Sequence, residues 1–182
     1  AGEVARHRPD GVVCTGDLTL RGRGREFAAA ADWLGALAAP VSVEPGNHDV
    51  PYYWDPLRRL LKPYERYRAL RAAVHCELSL GGMAIVPLKT VARAQWRLNQ
   101  SKGRVSRRDL AETLAGLHGL PQGQMPVVAC HHPLIDSGTR SSGSTRGGTA
   151  ALASLARAGV HAVLSGHVHD AFDLTIETEG GP

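Results

Sequence analysis

The 182-residue chain is poor in aromatic residues (5%), has three cysteines, and carries no long hydrophobic run. Its longest apolar stretches, such as Val41–Val43 and Val127–Cys130, fall far short of the ~20 residues that cross a bilayer. A membrane-spanning helix is excluded, and no membrane partner is expected. No apolar stretch follows the charged segment Ala1–Asp10, so no secretory leader is expected either. Cys14, Cys76 and Cys130 are odd in number and unrelated in spacing, which argues against a disulfide framework. They read as small buried thiols of a protein from a reducing, cytoplasmic compartment. There is no internal repeat and no interdomain linker. Basic residues outnumber acidic ones by 21 to 17, for a formal charge of +4, and most are arginine, the better fork for phosphate oxygens. The excess is modest and only tilts towards an anionic partner.

What is present is ordinary for a globular protein: 43% hydrophobic and 21% charged residues. The length fits one domain over residues 1–182, large enough to bury a core without staples. Short apolar runs alternate with helical spacing, the pattern of a layered α/β sheet. Strands are expected at Val12–Cys14, Val41–Val43, Val127–Cys130 and Val160–Leu164, all buried. His75–Leu80 and Met83–Lys89 are expected to form a hairpin about Gly81-Gly82. Helices are expected at Gly2–His7, Glu26–Leu37, in parts of Tyr53–Ala73, from Ser106 to about Leu117 behind a Ser106/Asp109 capping box, and at Thr149–Ala158. Val91–Arg108 reads as a basic loop and Ser137–Gly148 as an exposed, mobile one. Ala171–Thr178 alternates like a half-exposed strand.

The chemistry gathers at the ends of four of these runs: Gly16-Asp17, Gly46-Asn47-His48-Asp49, His131-His132 and Gly166-His167-Val168-His169. In α/β sheets, ligands sit in the crevice beyond the carboxyl ends of the strands. Pooled there, a carboxylate, an amide oxygen and several imidazoles suit Zn, Mn or Fe better than Ca or Mg. Each motif alone is an ordinary turn or loop. Together they take up five of the nine histidines, and that concentration points to a metal site.

On these motifs, with Leu18-Thr19 and Pro133 beside them, nearly the whole chain resembles the calcineurin-like metallophosphoesterases, in particular the bacterial cyclic-nucleotide phosphodiesterase-like branch. Arg58–Arg71 also looks like the linker of that branch. The resemblance implies a four-layer αββα sandwich with a site for two transition-metal ions (Mn, Fe or Zn). It implies that Asp17 bridges both ions, that Asn47, His131 and His167 hold one, and that His169 holds the other. His48 would stand beside the leaving group, with Asp49 and His132 supporting the ligands. The family's opening Asp-X-His does not occur in the chain. The expectation is therefore a sandwich truncated at both ends, lacking its first strand and a last one, with at most one firmly held ion and weak turnover.

The implied reaction is hydrolysis of a small phosphodiester, such as a cyclic nucleotide, by water that the ions acidify. The alternatives are a nuclease and a non-catalytic scaffold on the same fold. Basic residues in Tyr53–Ala73 and Val91–Arg108 fit an anionic substrate and fit a solvated face equally well. Tyr52, Tyr53 and Trp54 are read as core packing in preference to stacking on a base. Nucleic acid is not the expected partner, and the oligomeric state stays open.

Overall fold

After a short exposed helix, α1 (Gly2–His7), strand β1 (Val12–Cys14) runs parallel to β2 (Val41–Val43). The computed structural model describes residues 2–51, 55–92, 102–136, 138 and 145–177. Helix α2 (Gly24–Gly35) connects the two strands, and α3 (Pro56–Leu61) and α4 (Glu65–Val74) follow β2. Phe27 and Leu34 of α2 pack with Val41, Val43, Tyr67 and Leu70 into one core cluster. Parallel neighbours need a helical crossover of this kind. Each fully buried valine in β2 stabilises by up to about 2 kcal/mol.

The second sheet has the order β3-β4-β5-β6, from Ser79–Leu80, Met83–Pro87, Met125–Ala129 and Ala162–Leu164. β3 and β4 form an antiparallel hairpin, whereas β4-β5 and β5-β6 are parallel. Helices α5 (Arg107–His118) and α6 (Gly148–Arg157) help close a core around Leu88, Val128, Cys130 and Leu155. Ser106 caps α5 by accepting the Asp109 N–H at 3.1 Å. The architecture is mixed α/β, with two sheets and flanking helices, as the sandwich requires.

Several elements differ from the sequence expectation. Helix α2 begins at Gly24 because the Glu26 carboxylate accepts the Arg21 and Arg23 N–H groups, each at 3.0 Å. β1 is only half-buried and β6 mostly exposed, whereas the neighbouring β2 is buried throughout. The 171–177 segment is no strand: its alternation has no paired neighbour among the described residues, and every residue in it is exposed. The last part of the loop expected to be mobile is fixed. Thr145 is buried and donates to Pro133 O at 2.6 Å, and Arg146 N donates to Gly103 O at 3.0 Å. Cys76 is exposed and Cys14 half-buried, so only Cys130 is fully enclosed. Tyr52, Tyr53 and Trp54 lie outside the described residues.

Because β1 and β2 are parallel, their carboxyl ends emerge side by side, as do those of β5 and β6. Glu44 N donates to Cys14 O at 2.8 Å, and Gly166 N to His131 O at 3.0 Å. Each sheet thereby presents two motif loops at one end.

Candidate metal centre

The motif loops touch so closely that side chains at two positions must be absent. A Cβ on Gly46 would fall on the backbone nitrogen and carboxylate of Asp17. One on Gly16, where φ is +103°, would lie 2.5 Å from Gly46 N and 2.9 Å from His131 Nδ1. The same strand ends hold unusual backbone. Asp17 (φ 57°), His167 (φ 70°) and His169 (φ 58°) are left-handed, and Arg8 is the one other non-glycine residue so placed among the described residues. Such conformations cost of order 1–3 kcal/mol each and persist where surrounding structure enforces them.

The enforcing contacts can be named. Asp49, 1% exposed, accepts from Thr19 N (2.9 Å) and Thr19 Oγ1 (3.0 Å) on one oxygen. On the other it accepts from Leu18 N (3.1 Å) and Gly46 N (2.8 Å). This single side chain ties the Asp17 loop to the Asn47 loop. Burial raises its carboxyl to about 6 against the pull of those bonds. Asp17 Oδ1 accepts the His48 N–H at 3.0 Å, which fixes the carboxylate and leaves Oδ2 for the centre.

That centre is a set of lone pairs. His131 Nδ1 donates to Thr15 O at 2.7 Å. A carbonyl can only accept, so in the neutral ring Nε2 carries no proton. Burial favours the neutral form and lowers the His131 pKa. Around Nε2 stand Asn47 Oδ1 at 3.0 Å, His167 Nδ1 at 3.2 Å and Asp17 Oδ2 at 3.5 Å. Asp17 Oδ2, Asn47 Oδ1 and His131 Nε2 then have no hydrogen among them to share. Burial, with His131 next, lowers His167 to about 4. The donor separations match the roughly 3.0–3.4 Å edges of a shell of ligands ~2.1 Å from a transition-metal ion. The residues present fit a metal.

His132 stands closer to this group than a supporting role requires. Its ring centroid lies 4.4 Å from that of His167 and 4.6 Å from that of His131. The ligand atoms of all three fall within 4.8 Å of one another. Thr90 Oγ1 accepts the His132 N–H at 3.0 Å and faces its Nδ1 at 3.1 Å. His169 is exposed, at the edge of the cluster, yet near enough that its charge lowers both His131 and His167. His48 donates through Nδ1 to Leu20 O at 2.8 Å.

Residues 2–171 match the calcineurin-like phosphoesterases. The chain belongs to that family. A segment of 44 residues is 50% identical to the glycerophosphodiester phosphodiesterase GpdQ of Enterobacter lignolyticus (strain SCF1), covering 24% of this chain and 16% of that protein. The matched part thus spans about a sixth of the relative's length. A calcineurin-like phosphoesterase fold implies divalent metal ions, in agreement with the donor set.

Of the residues singled out by sequence, the structure brings together Asp17, Asn47, His131, His132 and His167, with His48 and Asp49 directly bonded to the same loops. His169 borders them. Sequence reasoning missed Thr15 and Thr90, which orient the two ring histidines through an unremarkable carbonyl and hydroxyl. It also missed Glu44, 3% exposed, whose Oε1 has no hydrogen-bond partner among the described residues. Burial raises that carboxyl to about 8, with Arg71 opposing. The basic stretch is partly spent on structure. Arg58 pairs with Asp55 and Glu65, Arg59 bonds Pro51 O, and Arg66 bonds Gly22 O.

Proposed function

We propose that the protein is a metal-dependent hydrolase of a small phosphodiester, either a cyclic nucleotide or a glycerophosphodiester. The observation that supports it best is the convergence of Asp17 Oδ2, Asn47 Oδ1 and His131 Nε2, three lone-pair donors without a shared proton. In this reading Asp17, Asn47, His131 and His167 hold one ion, and His169 with Asp17 begins a second position. When bound, the ions polarise a phosphoryl oxygen and acidify water. The remaining work falls to the chain. Thr15 O keeps the His131 lone pair aimed inward, and the His48 N–H holds Asp17 in one orientation. In its imidazolium form, His48 donates the Nε2 proton to the leaving oxygen. The glycerophosphodiester possibility draws on the relative's printed activity, the cyclic nucleotide on the resemblance of the motifs.

Calorimetric titration with Mn²⁺ and turnover of a p-nitrophenyl phosphodiester test this reading together. Asp17→Ala and His167→Ala are expected to lose metal binding and turnover alike. His48→Ala keeps the metal and slows turnover by about 10²–10⁴-fold. Mn²⁺ binding unchanged in Asp17→Ala would refute the site, and metal lost in His48→Ala would refute the role given to that ring. Competition by 3′,5′-cyclic AMP against glycerophosphocholine then ranks the two substrate classes.

A further inference from the structure

Helix α3 is built the wrong way round for a core helix. Leu57, Leu60 and Leu61, at spacing i, i+3, i+4, share one face and are 68%, 54% and 70% exposed. Its two arginines are engaged at the surface: Arg58 pairs with the exposed Glu65 at 2.6 Å and Arg59 bonds Pro51 O at 2.7 Å. A surface helix ordinarily buries its leucines and solvates its arginines, so an outward leucine face marks a contact surface. A fourth exposed leucine, Leu20 at 67%, accepts from His48, and α3 is bonded through Arg59 to Pro51, three residues further on.

The net charge of the two segments that carry these leucines bears on the occupant. Residues 20–26 and 55–71 carry nine cations and three acids, a net +6 against +4 for the whole chain. The two segments are joined, with Arg66 Nη1 donating to Gly22 O at 2.6 Å. A second copy placed face to face would set this positive rim against itself, and like charges opposed across an interface are costly. An anionic surface with an apolar interior satisfies both features. We propose that the leucine face of α3, with its basic surround, docks the protein on an anionic phospholipid bilayer. Peripheral contact of this kind needs leucines at the headgroup boundary and cations near the lipid phosphates, with no spanning segment. The sequence expectation of no membrane partner rested on spanning length alone. The proposal is independent of the reaction assigned above.

Co-sedimentation of the full chain with vesicles tests it. Binding is expected to vesicles with ~30% phosphatidylserine and not to pure phosphatidylcholine, and it should fall when salt is raised to ~0.5 M. The triple variant Leu57→Ser, Leu60→Ser, Leu61→Ser should bind at least about tenfold more weakly. Its melting temperature and Mn²⁺ titration should be unchanged, because these side chains are exposed. Four results would overturn the proposal: no binding by the parent chain, equal binding to both vesicle types, undiminished binding by the triple variant, or a parent dimer that the triple variant abolishes. Turnover of the p-nitrophenyl diester in the same samples reports separately on the hydrolase.

Discussion

Glu44, the buried residue directly after β2, offers a sharp test of the packing there. Its carboxyl is 3% exposed, one oxygen lacks a partner among the described residues, and burial lifts it from an ordinary value of 4.5 to about 8. At about 1.4 kcal/mol per pH unit, that difference is worth up to about 5 kcal/mol. Between these two values the folded chain keeps a proton that the unfolded chain has lost. Stability therefore falls as pH rises from ~4.5 to ~8 and levels off above. Glu44→Gln removes the ionisation and keeps the shape. Its stability relative to the parent should rise across that window, by about 3 kcal/mol at pH ~7 and up to about 5 at pH ~8.5. Urea unfolding of both proteins from pH ~4.5 to ~8.5, with a chelator present, measures the difference. Asp49, raised to about 6, is common to both and cancels. Cys14 and Cys130 are pushed up by burial and stay protonated in the window. A difference constant to within about 1 kcal/mol would show that this carboxyl is solvated, and the reasoning would fail.

Gly46→Ala should lower stability by about 3 kcal/mol or prevent folding, because the added methyl lands on Asp17. Gly35→Ala in α2, with nothing within 4 Å of the added carbon, should be neutral or stabilise by up to about 1 kcal/mol. Thermal melts compare the two. Asp49→Asn turns one acceptor oxygen into a donor facing backbone N–H groups, whichever way the amide lies, and should cost about 2–4 kcal/mol in urea unfolding. A near-silent Asp49→Asn would remove Asp49 as the tie between the loops.

Much of the site could be read from the sequence because its signals are local. Gly-Asp, Gly-Asn-His-Asp, His-His-Pro and Gly-His-Val-His each close a short apolar run, and the strand ends deliver all four loops to one region. The fold was legible to the same extent: parallel pairing follows from strands separated by helical spacing. What escaped depends on partners remote in the chain. Thr15 O meets His131 across 116 positions and Thr90 meets His132 across 42, and neither residue type announces that contact. Glu44 reads as one more charged residue beside a turn until the packing around it is known. The 171–177 alternation failed for a related reason: period two describes a strand's faces but supplies no neighbour for its hydrogen bonds. α3 inverted the usual pattern, since i, i+3, i+4 leucines predict a buried face and here face outward.

The left-handed backbone at Asp17, His167 and His169 bears on when the site is formed. At of order 1–3 kcal/mol each, three such residues hold several kcal/mol of strain, comparable to a sizeable share of a domain's net stability. The four bonds accepted by Asp49, the His48 N–H on Asp17 Oδ1 and the Thr15 carbonyl on His131 are all protein-to-protein contacts that need no ion. They offset the strain before any metal arrives. A loop shaped by its ion alone would have no reason to keep Gly16 and Gly46 in contact too close for a Cβ. The donors are therefore gathered by the fold itself, and a bound metal would relieve the repulsion among lone pairs already brought together. Loading should consequently stabilise the protein without reorganising these loops.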